Sequence, residues 1–204
     1  MVAYGAMAAL VNASTKAAAP VTLLALGDSL TAGYGLPATD SFPSQLQKAL
    51  QAKGRAVRVV NAGVSGDTSA GGLARLDWAL ADKPQTAIVA LGANDGLRGL
   101  DPAKMEANLD AIVTKLQNAG VKVLLAGMEA PPNLGPDYGQ AFRGAYARVA
   151  ERRKVAFYPF FLDGVAANPA LNQKDGLHPT AQGVAIIVGR MMPTVEKLLD
   201  QVRP

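Results

Sequence analysis

The chain has no cysteine and a single histidine, His178. Without cysteine there are no thiol nucleophiles, cysteine-ligated zinc sites, iron–sulfur clusters or disulfides, and the redox character of the compartment is left open. With one imidazole, multi-histidine metal sites within the chain are excluded, and any reaction that needs a histidine has one candidate. Aromatic residues make up 5% of the 204, with one tryptophan, Trp78. Trp78 falls in a helical stripe expected to face the core, so no aromatic platform for sugars is visible. No stretch approaches the ~20 consecutive apolar residues that a membrane-spanning helix requires, so stable membrane insertion is not expected. Twenty Lys+Arg against 16 Asp+Glu give a net charge of +4. The densest basic run is Arg152-Arg153-Lys154 and the other cations are interleaved with acids, so no stripe for tracking phosphates exists and nucleic acid is not an expected partner. A chain that is 50% hydrophobic and 18% charged is not a disordered one.

Residues 1–20 carry an apolar stretch to Val11, then small residues ending in Ala17-Ala18-Ala19. The pattern resembles the end of a secretory signal, although no Lys or Arg precedes the apolar run. The segment is read as an N-terminal extension or signal-peptide remnant. A periplasmic or secreted location is the expectation it supports, with the cytoplasm as the alternative.

From residue 21 to 204 the pattern is that of one domain in which short apolar runs alternate with helical stripes. Val21–Leu26, Val57–Val60, Thr86–Leu91, Val121–Ala126 and Val155–Tyr158 read as strands buried on both faces. Asp101-Pro102 is a helix start, followed by Met105, Leu109, Ile112, Val113 and Leu116 on one face and a stop at Gly120. Leu46, Ala49 and Leu50 mark a shorter helix, Phe142, Ala145, Tyr146 and Val149 another. A terminal stripe from Val184 to Leu199 is expected to kink or split at Pro193. Five such strands alternating with helices predict an α/β fold, a five-stranded parallel sheet in a three-layer α/β/α sandwich. In such sheets the loops leaving the strand carboxyl ends converge on the ligand crevice.

Those loops carry the unusual residues. Ser29 follows the first strand in Gly27-Asp28-Ser29-Leu30, at a strand-to-helix turn where its hydroxyl and its own amide can face the crevice. Gly66 follows the second strand and can offer its N–H with no side chain intervening. Asn94 follows the third and can donate from its side-chain amide. Asp175-Gly176-Leu177-His178-Pro179 follows the fifth, where the carboxylate can curl back onto one imidazole nitrogen and leave the other facing the crevice. Taken singly, each has a plainer explanation as a helix cap or turn residue. Together, and in order at the strand ends, they make an acyl-transfer set. Ser29 is the candidate nucleophile, His178 the base, Asp175 its orienting partner, and the amides of Ser29 and Gly66 with the Asn94 side chain the oxyanion donors. Asp67 and Asp95 read as scaffold for the loops.

These blocks resemble the four signature blocks of the SGNH (GDSL) hydrolases over essentially Val21 to Leu199. The Ser-Gly-Asp-Thr-Ser run at 65–69 and Asn94-Asp95-Gly96-Leu97-Arg98-Gly99 are closest to the bacterial thioesterase, lysophospholipase and arylesterase branch. The resemblance implies a flavodoxin-like strand order of 2-1-3-4-5, no metal or organic cofactor, and catalytic roles for Ser29, Asp175 and His178.

The expected function is that of a serine esterase on short- to medium-chain acyl or aryl esters, with thioesters and lysophospholipids as further small-molecule substrates. The alternatives are a carbohydrate O-acetylesterase and a flavodoxin-like mononucleotide-binding module. Leu97 and Leu100 on one side, and Met128 and Leu134 with Tyr138 on the other, are expected to wall an acyl pocket.

Overall fold

Val21–Gly27 (β1) is the central strand: its run VTLLALG is buried from the second residue on. An unbroken apolar run persists where neighbours cover both faces. In the computed structural model, which describes residues 19–202, β1 pairs in parallel with Val57–Gly63 (β2) on one side and Thr86–Ala90 (β3) on the other. Lys122–Ala126 (β4) lies beside β3, and Ala156–Tyr158 (β5) beside β4. The sheet order is β2-β1-β3-β4-β5, the order that the resemblance implies. The expectation for residues 1–20 falls outside the described residues except at Ala19 and Pro20.

The helices are Ser29–Ala32 (α1), Phe42–Ala52 (α2), Ser69–Ala74 (α3), Leu76–Leu80 (α4), Ala93–Leu97 (α5), Pro102–Asn118 (α6), Pro136–Arg153 (α7) and Ala181–Asp200 (α8). The long ones start where local chemistry dictates. Asp101 caps α6 by accepting from the Ala103 N–H at 2.9 Å, with Pro102 at the first helical position. Thr180 caps α8 by accepting from the Gly183 N–H at 3.2 Å. Helix α2 packs against α8, while α6 packs against both α3 and α7, so the sheet lies between two helical layers. Leucines of β1 and β4, with Ile88 and Val89 of β3, meet the apolar stripes of these helices in one continuous core. Truncating a fully buried member such as Leu109 to alanine is worth about 2–5 kcal/mol.

Three expectations are corrected. Strands β2 and β5 are not buried on both faces: each is a sheet edge with one strand neighbour, Arg58 and Asn61 on β2 are exposed, and all three residues of β5 are only half-buried. Trp78 faces solvent, 76% exposed, because the five-residue α4 turns Leu76 and Ala79 inward and leaves Trp78 on the opposite side. Pro193 does not split α8, whose stripe stays buried on both sides of it at Met192 and Val195. Packing of that stripe outweighs the backbone hydrogen bond that the proline removes. Among the described residues no helix is long and apolar enough to cross a membrane.

The chain order 1-2-3 against the spatial order 2-1-3 means that crossovers leave β1 and β3 toward opposite faces. The crevice of such a sheet opens at that switch point, beyond the carboxyl ends of β1 and β3.

Candidate active site

Ser29 is the first residue of α1, set directly after β1. Asp28, which caps this helix, accepts from the Leu30 N–H at 3.0 Å. Among the described residues nothing accepts from the Ser29 N–H, as expected at a helix's first position. The Ser29 Oγ lies 2.8 Å from His178 Nε2, although 149 residues separate them in the chain.

The other side of that imidazole is fixed within its own loop. His178 Nδ1 lies 2.7 Å from Asp175 Oδ2. Asp175 Oδ1 accepts from the backbone N–H groups of Leu177 at 2.9 Å and His178 at 3.0 Å. Those two amides, and then the imidazole, hold the Asp175 carboxyl down at a pKa of about 2. Asp175 is therefore an anion at neutral pH, so the tautomer it favours carries hydrogen on Nδ1 and leaves Nε2 free to accept from Ser29.

Gly66 has φ +84°, a conformation that L side chains rarely adopt, and among the described residues its N–H has no acceptor. Its carbonyl accepts from Arg98 Nη2 at 2.8 Å. The next carbonyl, of Asp67, accepts from Asn94 Nδ2 at 2.9 Å. Asn94 and Arg98, one turn apart at α5, thus hold two successive carbonyls of the β2 loop. The second hydrogen on Asn94 Nδ2 has only the long 3.4 Å approach to Asp28 Oδ2 and remains available to a ligand oxygen.

Asp67 and Asp95 hold the loops. Asp67 pairs with Arg75 at 2.5 Å, and Arg75 also donates to the Gly27 carbonyl at 2.9 Å, tying the β2 loop to the end of β1. Buried Asp95 accepts from the Ser69 N–H at 2.7 Å and the Ser69 Oγ at 2.6 Å, tying α5 to α3. Asp28 is also buried, and burial is the main cause that pushes its pKa up to about 6.

Ser29 and His178 open onto a cavity of about 360 Å³ whose lining is mostly apolar. Leu97 and Met128 line it, while Leu100 and Leu134 lie outside its lining. Leu134 packs near Gly99, and the Leu100 carbonyl accepts from Tyr138 Oη at 2.6 Å, so both belong to the support of the α5 loop. Sequence reasoning missed Leu30, Phe160, Leu162 and Ala166 in the lining. The signal available for the last three was an apolar cluster directly after the last strand, in a segment too irregular to show a helical or strand period. Among the described residues no group of three or more His, Asp or Glu is placed to hold a metal ion.

A hydroxyl hydrogen-bonded to an imidazole, a carboxylate on the far ring nitrogen, and the unpartnered Ser29 N–H with the Asn94 amide in the same lining form an arrangement suited to attack on a carbonyl carbon. Comparison with known proteins agrees in family. The model of the GDSL-like lipase/acylhydrolase family matches residues 25–186. Esterase TesA of Pseudomonas aeruginosa is 46% identical over 186 residues, 91% of this chain and 92% of the relative. Thioesterase 1/protease 1/lysophospholipase L1 of Escherichia coli is 39% identical over 192 residues, 94% of this chain and 91% of the relative. A crystal structure of TesA superposes with a TM-score of 0.83 at 46% identity, covering 87% of this chain and 99% of that one. This chain therefore belongs to the GDSL-like lipase/acylhydrolase, or SGNH hydrolase, family.

Proposed function

We propose that the protein is a serine esterase that cleaves acyl and aryl esters of small-to-medium apolar acids, with thioesters and lysophospholipids as further substrates. The observation that carries this reading is the line from Ser29 Oγ through His178, 2.8 Å to Nε2, to Asp175, 2.7 Å from Nδ1.

Ser29 Oγ passes its proton to His178 Nε2 as it adds to the ester carbonyl carbon. The carbonyl π pair moves onto oxygen, which is received by the N–H groups of Ser29 and Gly66 and by Asn94 Nδ2. Asp175 accepts from Nδ1–H and stabilises the imidazolium. The Nε2 proton then goes to the departing alkoxide or thiolate as its bond to the acyl carbon breaks. Water repeats the sequence: it gives a proton to His178, adds to the acyl carbon, and expels Ser29, which recovers that proton.

The mostly apolar cavity favours an acyl or aryl group over an acetylated sugar, and Trp78 lies outside its lining. The same walls offer little to a nucleotide phosphate, and two carboxylates, Asp28 and Glu129, line them. Residues 1–20 support a periplasmic or secreted location within this proposal.

The test is a series of p-nitrophenyl esters from acetate to palmitate, with phenyl acetate and an acyl-coenzyme A, on the wild type and Ser29→Ala. The wild type turns over the esters with one preferred chain length, and Ser29→Ala loses about 10⁴-fold or more in kcat. Retained turnover in Ser29→Ala would sink the proposal.

A further inference from the structure

The hydrogen bonds described above account for both edges of the His178 ring and leave its flat face unexplained. That face is met by Tyr34, whose ring centroid lies 4.7 Å from that of the imidazole, with the planes tilted by 39°. Tyr34 is 55% exposed, and its hydroxyl has no hydrogen-bond partner among the described residues, so its ring is not held there to satisfy a buried polar group. It sits between Gly33 and Gly35, both at positive φ, in the turn that ends the Ser29 helix. Its backbone N–H donates to the Ser29 carbonyl at 3.1 Å. The loop that presents the ring is therefore an extension of the nucleophile's own helix.

Gln173 fastens this turn to the histidine loop. Its side-chain amide donates to the Tyr34 carbonyl at 2.8 Å and to the Pro179 carbonyl at 3.0 Å. Its backbone N–H donates to the His178 carbonyl at 2.7 Å. A Cβ at position 35 would run into the Gln173 side chain, so glycine there lets the two loops close on each other.

We propose that Tyr34 is a positioning residue for the reaction: its ring holds the imidazole in line with Ser29 and favours the imidazolium formed during acyl transfer, and Gln173 sets where that ring stands. The proposal rests on the serine-esterase reading above. An aromatic face against a cation is attractive because the ring quadrupole presents its negative face, so the contact strengthens as His178 takes the proton. The other groups that face His178 are Asp175 on its own loop and Asp28, whose charge acts on the imidazole from beside Ser29. Tyr34 is thus the uncharged member of the set, and it can be removed without changing net charge.

The experiment measures kcat and KM for p-nitrophenyl acetate between about pH 5 and 9 on the wild type, Tyr34→Phe, Tyr34→Leu, Gln173→Met and Ser29→Ala, with thermal unfolding of each. Tyr34→Phe is expected to stay within about twofold of wild type, because it keeps the ring. Tyr34→Leu is expected to lose roughly five- to twentyfold in kcat at little-changed KM, and its acid limb to move about half a pH unit lower. Gln173→Met shifts both in the same direction by less. Wild-type kcat and an unmoved acid limb in a folded Tyr34→Leu overturn the proposal. So does a Tyr34→Phe as impaired as Tyr34→Leu, which would assign the effect to the hydroxyl. Activity retained by Ser29→Ala is a different failure, that of the serine reading itself.

Discussion

Asp28 stands next to Ser29 and Asp175 three residues before His178, yet their carboxyl groups are driven in opposite directions. Asp28 is 1% exposed, and desolvation leads the causes that raise it from 3.8 to about 6. Asp175 lies on an exposed loop, where two backbone amides and the imidazole lower it from 3.8 to about 2. The contrast extends to the regions that carry them. The Ser29, Gly66 and Asn94 side is built from short loops at strand ends, cross-tied by Arg75, Asp67, Asp95 and Arg98. The Asp175–His178 side is a long excursion after β5 that organises itself through contacts inside one turn. Burial disfavours the ionised carboxylate of Asp28 in the first region, and local hydrogen bonds make the second region anionic without burial.

The largest effects fall on the exposed side. Asp175→Asn keeps the size of the side chain but cannot favour the Nδ1–H tautomer, so kcat falls about 10³–10⁴-fold. Because Asp175 loses its proton near 2, its ionisation does not supply the acid limb of the rate profile above pH 4 or so. A kcat for Asp175→Asn within tenfold of wild type would remove the distinction between the two aspartates. On the buried side, Asn94→Ala deletes the side-chain amide proposed to receive the oxyanion and is expected to lower kcat about 10²–10³-fold with a small change in KM. A change confined to KM would show that Asn94 binds substrate without favouring the transition state.

The fold was legible to the extent that its strands are central. The runs beginning at Val21, Thr86 and Val121 announce buried strands because apolar residues fill both faces. Strand β2 reads as one more of these, and its edge position emerges only from pairing, which no single run encodes. Ser29, Gly66 and Asn94 could be singled out because each is a chemically distinctive residue in a loop just after a strand, and Asp175 and His178 because they set a carboxylate three residues before the chain's one imidazole. Tyr34, Gln173 and Arg98 could not, since the contacts that matter, Tyr34 with His178, Gln173 with Tyr34 and Arg98 with Gly66, span 32 or more positions and nothing local marks them. Leu100 and Leu134 illustrate the opposite problem: apolar residues beside a site can support its loops instead of lining it. Trp78 lies in a helix so short that its stripe does not define a face.

The stability consequence of the contrast is smaller than the kinetic one. The folded chain holds the Asp28 proton more tightly than the unfolded chain does. The stability this contributes is fully present below 3.8 and is lost as pH rises through about 6, on the order of 3 kcal/mol. Asp28→Asn cannot ionise, so urea unfolding at pH 8 is expected to show it more stable than the wild type, with a flatter profile between about pH 4 and 7. Asp175 acts with the opposite sign: its stabilising contribution is present above 3.8 and is lost as pH falls toward 2. Parallel profiles for wild type and Asp28→Asn would show that burial does not perturb Asp28. The mildest effect concerns the cavity. Leu97→Asp is expected to raise KM several-fold for longer acyl chains and little for acetate, while Leu100→Asp leaves the chain-length profile in place. Equal profiles for the two variants would erase the difference between lining and support.

The central claim, that one hydroxyl is activated by the lone histidine, is tested most directly by covalent trapping. Incubation with a p-nitrophenyl alkylphosphonate should release p-nitrophenol and leave one phosphonyl group per chain, mapped by peptide mass spectrometry to Ser29. His178→Ala should slow that labelling by orders of magnitude. Labelling at another residue, or labelling of Ser29 at an undiminished rate in His178→Ala, would contradict the account.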